Sequence, residues 1–166
     1  MQSRARALGH PIHPTLVVFP LGLFTAAVAF DIVHLVTDRA EFAEVAYWNI
    51  AAGIVGGLLA AVFGLVDWLA IPAGTRAKRI GLLHGGGNVL IVVLFAVSWL
   101  YRRGEEGHAV EGPWLVLELV AIALSGVTGW LGGELVDRLG VGVHDNAHPD
   151  APSSLRPVGG QRPPAR

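Results

Sequence analysis

The chain has 166 residues, 52% of them hydrophobic and only 15% charged, with a mean hydropathy of +0.53. Soluble domains carry about a quarter charged residues, so this composition points to a bilayer protein. A net charge of −1 supplies no basic field for nucleic acid, and the lack of cysteine excludes disulfides, iron–sulfur ligation and thiolate chemistry within the chain.

The chain starts MQSRAR and continues GHPIHPTLVVFPLGLF. Proline biases the residue before it away from helix, so His10 and His13 are expected in extended backbone. Pro14 suits a first helical turn, which puts His13 near the cap. GHPIHP separates the basic start from the apolar run, unlike a compact secretory signal. The first span is therefore read as a membrane helix from about Pro14 to Val36. Pro20 inside it cannot donate to the Leu16 carbonyl, which predicts a kink or a substitute donor.

The second span runs from about Val45 to Ile71, the third from Ile80 to Tyr101 and the fourth from about Pro113 to Leu139. Each supplies the roughly 20 apolar residues that cross a bilayer core as helix. The runs do not alternate as barrel strands do, so the fold class is all-α. Short connections make sequential helices antiparallel, giving a four-transmembrane-helix bundle over residues 1–139. Residues 140–166 carry Pro149, Pro152, Pro157, Pro163 and Pro164, and read as a disordered tail. No short repeat stands out, and one sequence does not decide whether the two helix pairs are related.

Arg4, Arg6, Arg76, Lys78, Arg79 and Arg138 fall on the side of the N-terminus, as does the tail. Only Arg39, Arg102 and Arg103 fall opposite. Lysine and arginine sort to the cytoplasm, so both termini are expected there, with the chain multi-pass in a bacterial inner membrane. Trp68, Trp99, Tyr101 and Trp114 lie near span ends and read as interfacial anchors. The small residues of the second span (Gly53, Gly57, Ala61; Gly56, Ala60, Gly64) and the fourth (Ser125, Gly126, Gly129, Gly132, Gly133) read as helix contacts.

This topology gathers His10, His13, Asp67, His84 and Glu134 at one membrane depth near the cytoplasmic face, with Asn88 on the His84 face. Ionisable groups facing lipid are costly, so an inward, paired cluster is expected. Imidazole and carboxylate suit zinc, iron or manganese, with His10, His13, Asp67, His84 and Glu134 as candidate ligands. Alternatively His13 and His84 bind haem b axially, with glycines 85–87 admitting the macrocycle. Asp31, His34 and Glu118 form a smaller set at the outer end, read as interfacial salt bridges. His108 falls in a loop; His144 and His148 begin the tail and are expected to be solvated rather than ligating.

Together, GHPIHP…FPLGLF, FGLVDWLAIP, HGGGN and GWLGGELVDRLGVGV resemble the bacterial membrane-protein family known as domain of unknown function 2231. The resemblance covers roughly residues 8–144. It implies four membrane helices and places His10, His13, Asp67, His84, Gly132, Gly133 and Glu134 in shared motifs. Some relatives are joined to Rieske-type domains, which implies redox company.

No GxSxG, Walker or dinucleotide motif is present, and GGELVDRLG does not follow a strand, so nothing points to a hydrolase or nucleotide enzyme. Three readings remain. The first is a metal or haem site in a redox-accessory role, partnered by the bilayer and by a redox protein or a second copy. The second is a non-catalytic scaffold whose polar cluster fixes helix packing. The third is a proton or ion pathway, poorly supplied because mainly Gly, Ala, Val and Leu separate the polar layers.

Overall fold

The computed structural model describes residues 1–155. A minimal hairpin of β1 (Arg6–Ala7) and β2 (His10–Pro11) pairs Ala7 with His10. Its two turn residues, Leu8 and Gly9, both have positive φ (49° and 83°), as the tightest hairpin turns require. Four long helices follow: α1 (Ile12–Thr37), α2 (Ala40–Ala70), α3 (Arg76–Arg102) and α4 (Gly112–Arg138). Their most apolar windows have mean hydropathies of 1.8 to 2.2, and by length and composition each can cross a membrane. Sequential helices are antiparallel, as expected.

His10 is extended in β2, but His13 lies inside the helix, whose N-cap is Pro11. The Ile12 amide bonds the Ala5 carbonyl at 2.9 Å, and the His13 ring bonds α2, so tertiary contacts override the proline bias. The regular ladder of α1 breaks at Val17, one residue past Leu16, whose carbonyl Pro20 cannot serve. Val17 keeps helical angles (φ −65°, ψ −19°), and Leu21 N–H bonds its carbonyl at 3.3 Å, so hydrogen bonding resumes directly after the break. Both α2 and α3 begin before their apolar runs. α3 is capped by Thr75, whose Oγ1 accepts from Lys78 N–H at 3.1 Å. α4 ends in a widened turn, where Leu139 N–H reaches back to the Glu134 carbonyl at 3.1 Å.

α1 packs on α2, α3 on α4, and α2 on α3. Apolar burial gains little against lipid, so backbone approach through small residues must hold the bundle together. α2 does this: a Cβ on Gly53 would stand 2.6 Å from the Phe24 ring, and one on Gly57 2.9 Å from Val92. Phe24 and Phe95 stack in the bundle centre, ring centroids 4.0 Å apart. The α4 row departs from expectation. Gly126, Gly129 and Gly133 meet nothing within 4 Å, and only Gly132 receives a neighbour. Phe19, Leu58, Leu59, Val62, Leu82, Leu83, Val116, Val120 and Trp130 are exposed, giving the bundle an apolar outer surface suited to lipid. Residues 140–155 form turns only, and Ser154 Oγ donates to the Leu8 carbonyl at 3.2 Å. The expected disorder of the last eleven residues of the tail, 156–166, lies outside the described residues.

Candidate functional site

His13 and His84 are seated by the same device. His13 Nδ1 lies 2.8 Å from the Ala60 carbonyl of α2, and His84 Nδ1 lies 2.8 Å from the Thr128 carbonyl of α4. Four residues on stand Gly64 and Gly132. A Cβ would approach His13 to 2.9 Å at Gly64 and His84 to 3.1 Å at Gly132, so glycine is what lets each ring reach a helical carbonyl. A carbonyl only accepts, so each Nδ1 carries the proton, and when a ring in this seat is neutral its lone pair lies on Nε2. The two rings face each other edge-on with centroids 6.3 Å apart. Asn88 Nδ2 donates to the His84 carbonyl at 2.8 Å and stands 3.3 Å from His84 Nε2, while Thr128 Oγ1 donates to Asn88 Oδ1 at 3.3 Å.

The other expected members bond elsewhere. Asp67 is held by the N-terminal segment: Ser3 Oγ donates to its Oδ1 at 2.8 Å and to its Oδ2 at 2.7 Å. Arg4 N–H and Ala5 N–H also donate to Oδ1, at 2.8 and 3.2 Å. Glu134 pairs with Arg76 at 2.6 Å. His10 is exposed, its Nδ1 3.3 Å from the Leu8 carbonyl. Among the described residues no three His, Asp or Glu stand close enough to hold a metal ion. The structure thus brings together His13 and His84 from the expected set of five, and gives the carboxylates their positive or N–H partners from backbone, hydroxyl and arginine. Nor do glycines 85–87 hold open a slot. Gly85 and Gly86 meet nothing within 4 Å, and the place of a Gly87 Cβ is filled by the Thr128 methyl at 2.5 Å.

The opposite end holds a more deeply buried cluster than its sequence suggests. Asp31, Ser98, Arg102 and Glu118 are all 0% exposed. Arg102 grips Asp31 with two bonds of 2.8 Å and donates to the His108 carbonyl at 2.9 Å, the Ala43 carbonyl at 3.1 Å and Glu118 Oε1 at 3.4 Å. Ser98 Oγ donates to Glu118 Oε1 at 2.5 Å, and Glu118 Oε2 has no partner. Arg102 reads in sequence as a loop cation. The signal that it is not one was the presence of two intramembrane acids with no cation assigned to them. His34 stays outside the cluster, bonding the Arg39 carbonyl at 3.1 Å. Nor is His108 a free loop residue: it stacks on Tyr47 at 3.8 Å, and its Nδ1 lies 2.6 Å from Glu44 Oε2.

The predicted membrane-protein family DUF2231 matches residues 9–145, a stretch that takes in all four helices, both seated histidines and the buried ion pair. The chain belongs to this family. No curated protein and no solved structure matches it. Membership agrees with the four candidate spans, and the DUF2231 chain is a multi-pass membrane protein.

Proposed function

We propose that His13 and His84 are the protein ligands of a metal centre embedded at the N-terminal end of the bundle, serving a redox-accessory role in the bacterial inner membrane. One observation carries this reading: both imidazoles have Nδ1–H fixed on a backbone carbonyl. That arrangement orients a metal-binding ring and leaves Nε2 as the donor atom. Two protein ligands suffice for haem b, whose porphyrin supplies the other four positions. A bare zinc, iron or manganese ion needs more than two, and with Asp67, Glu134 and His10 bonded elsewhere it would complete its set with water. The bound group would supply the electron chemistry, and this chain's residues hold and orient it. A macrocycle between the rings must displace the Thr128 methyl from its place at Gly87.

The bonding of Asp67 favours a second reading. Four hydrogen bonds from the N-terminal segment occupy its carboxylate, and Glu134 is paired. In this reading the histidines are staples between helices and the chain is a scaffold subunit. An absorption spectrum and elemental analysis of the detergent-purified protein separate the two. A Soret band, or near-stoichiometric metal, that is lost in His13→Ala and His84→Ala supports the metal centre. Protein from cells supplied with iron, zinc, manganese and a haem precursor that carries neither supports the scaffold.

A further inference from the structure

The two halves of the chain repeat one another in space. His13 meets His84, Phe24 meets Phe95, and Asp31 meets Arg102 across the bundle centre. Each pair is 71 positions apart (84 less 13, 95 less 24, 102 less 31). The carbonyls that receive the histidines, at Ala60 and Thr128, are 68 apart, as are the glycines beside them (128 less 60, 132 less 64). Burial follows the same offsets in part. Buried Phe24, Ala27 and Asp31 correspond to buried Phe95, Ser98 and Arg102, and buried Ile50, Gly53 and Ala60 to buried Glu118, Ala121 and Thr128. Buried Ala43, Ala46, Tyr47 and Gly57, however, correspond to Glu111, Trp114, Leu115 and Ser125, which are not buried.

α1 and α3 run in one direction, and α2 and α4 in the other, so the relation is a pseudo-twofold axis along the bundle, a geometry known for repeated membrane halves. Residues at such an axis touch their own equivalents. The three α1 residues that do so are spaced by 11 and 7 positions (24 less 13, 31 less 24), about three and two helical turns, and therefore share one face. Few identities advertise the repeat, because the axial pair at the far end is an acid facing a base. Departures from symmetry at the histidine end include Asn88, whose counterpart is Val17 (88 less 71), Asp67, whose counterpart is Leu135 (135 less 67 is 68), and Glu134, whose counterpart is Val66 (134 less 68).

We infer that the chain is an internal duplication of a two-helix hairpin, and that its histidine site is a composite at the axis with one imidazole from each half. The site takes a single transition-metal centre that offers two equivalent coordination positions, either a free ion or the iron of a porphyrin. It does not take two centres bound separately. The ligand in this inference rests on the metal reading above; the duplication does not.

The test uses the full-length chain in mild detergent, titrated separately with Co²⁺ and with haemin. One equivalent of either probe is expected, with His13→Ala and His84→Ala weakening it to a similar degree. For haemin, the wild type gives a six-coordinate low-spin spectrum and each variant a five-coordinate high-spin one. Saturation at two equivalents, or dependence on one histidine alone, overturns the composite site. Binding of neither probe overturns the metal reading along with the ligand assigned to the site. The duplication is then decided without a ligand. Gly64→Ala and Gly132→Ala push against equivalent rings and should lower Tm by similar amounts, whereas a loss confined to one of them removes the equivalence.

Discussion

Arg102 has five N–H groups, and each has an oxygen to meet: two on Asp31, one on Glu118, and the carbonyls of Ala43 and His108. A fully buried guanidinium is tolerable only when satisfied in this way, because removing one partner leaves an uncompensated charge in a dry interior. Arg102→Met is therefore expected to cost about 3–5 kcal/mol, read as unfolding in a mixed-detergent titration. Asp31→Leu combined with Arg102→Met should cost less than Arg102→Met alone, since the orphaned carboxylate is gone. If the double variant instead shows the sum of the two single losses, Asp31 and Arg102 are not coupled and the geometry of the pair is wrong. Gly53 makes a second point at this scale. Its missing side chain is the space occupied by the Phe24 ring, which is itself stacked on Phe95. Gly53→Val drives a wedge into the central layer and should cost about 1–3 kcal/mol, checked by the same titration.

The start of α1 shows how one side chain governs an element. Asp67, near the end of α2, binds the Ser3 hydroxyl and the Arg4 and Ala5 amides, and Ala5 in turn receives the Ile12 amide that opens α1. The segment before the membrane is thus tied to the far end of the next helix. Asp67→Ala removes the acceptor for three donors at once. Losing about 1.4 kcal/mol of that anchoring opens the segment roughly tenfold more often. Trypsin should then cut after Arg4 or Arg6 about ten times faster in the variant, and an unchanged rate would mean the contact holds nothing.

The spans themselves were legible because lipid admits only long apolar helices, and that signal needs no tertiary context. Their ends were less so. Glu41 and Glu44 lie in α2 and Arg76 to Arg79 in α3, beyond any hydropathy boundary, because a helix can continue past the apolar core, with a Thr75 cap at α3 and no side-chain cap at α2. The site was half legible. His13 and His84 could be brought together by topology alone, but Asp67 and Glu134 could not be assigned, since their partners are a backbone segment and an arginine far away in the chain. The same blindness hid Arg102: a residue at the edge of a span looks like a loop cation until the fold closes over it.

At the scale of the whole molecule, burying Arg102 changes the charge balance that orients the protein. Arg4, Arg6, Arg76, Arg79 and Arg138 are exposed at the N-terminal end, and Lys78 is half-buried there. At the other end the exposed cations among the described residues are Arg39 and Arg103, and Arg39 is salt-bridged to Glu41. Arg102 is neutralised inside the bundle and does not count as a loop charge. The asymmetry is therefore sharper than a tally of basic residues suggests, and it predicts the N-terminal end on the cytoplasmic side. The duplicated architecture works in the same direction. Two hairpins related by an axis along the bundle have their termini and their central connection at one end, so every basic segment that resists translocation lies on the same face. The 103–111 connection should then be extracytoplasmic. The native chain has no cysteine, so Gly104→Cys, placed on that exposed turn, introduces a single reactive site. It should react with a membrane-impermeant thiol reagent in intact spheroplasts at the rate seen after lysis. Ala73→Cys, in the exposed connection between the two hairpins, should react only once the membrane is opened. The reverse pattern would invert the protein and move the histidine pair to the outer face.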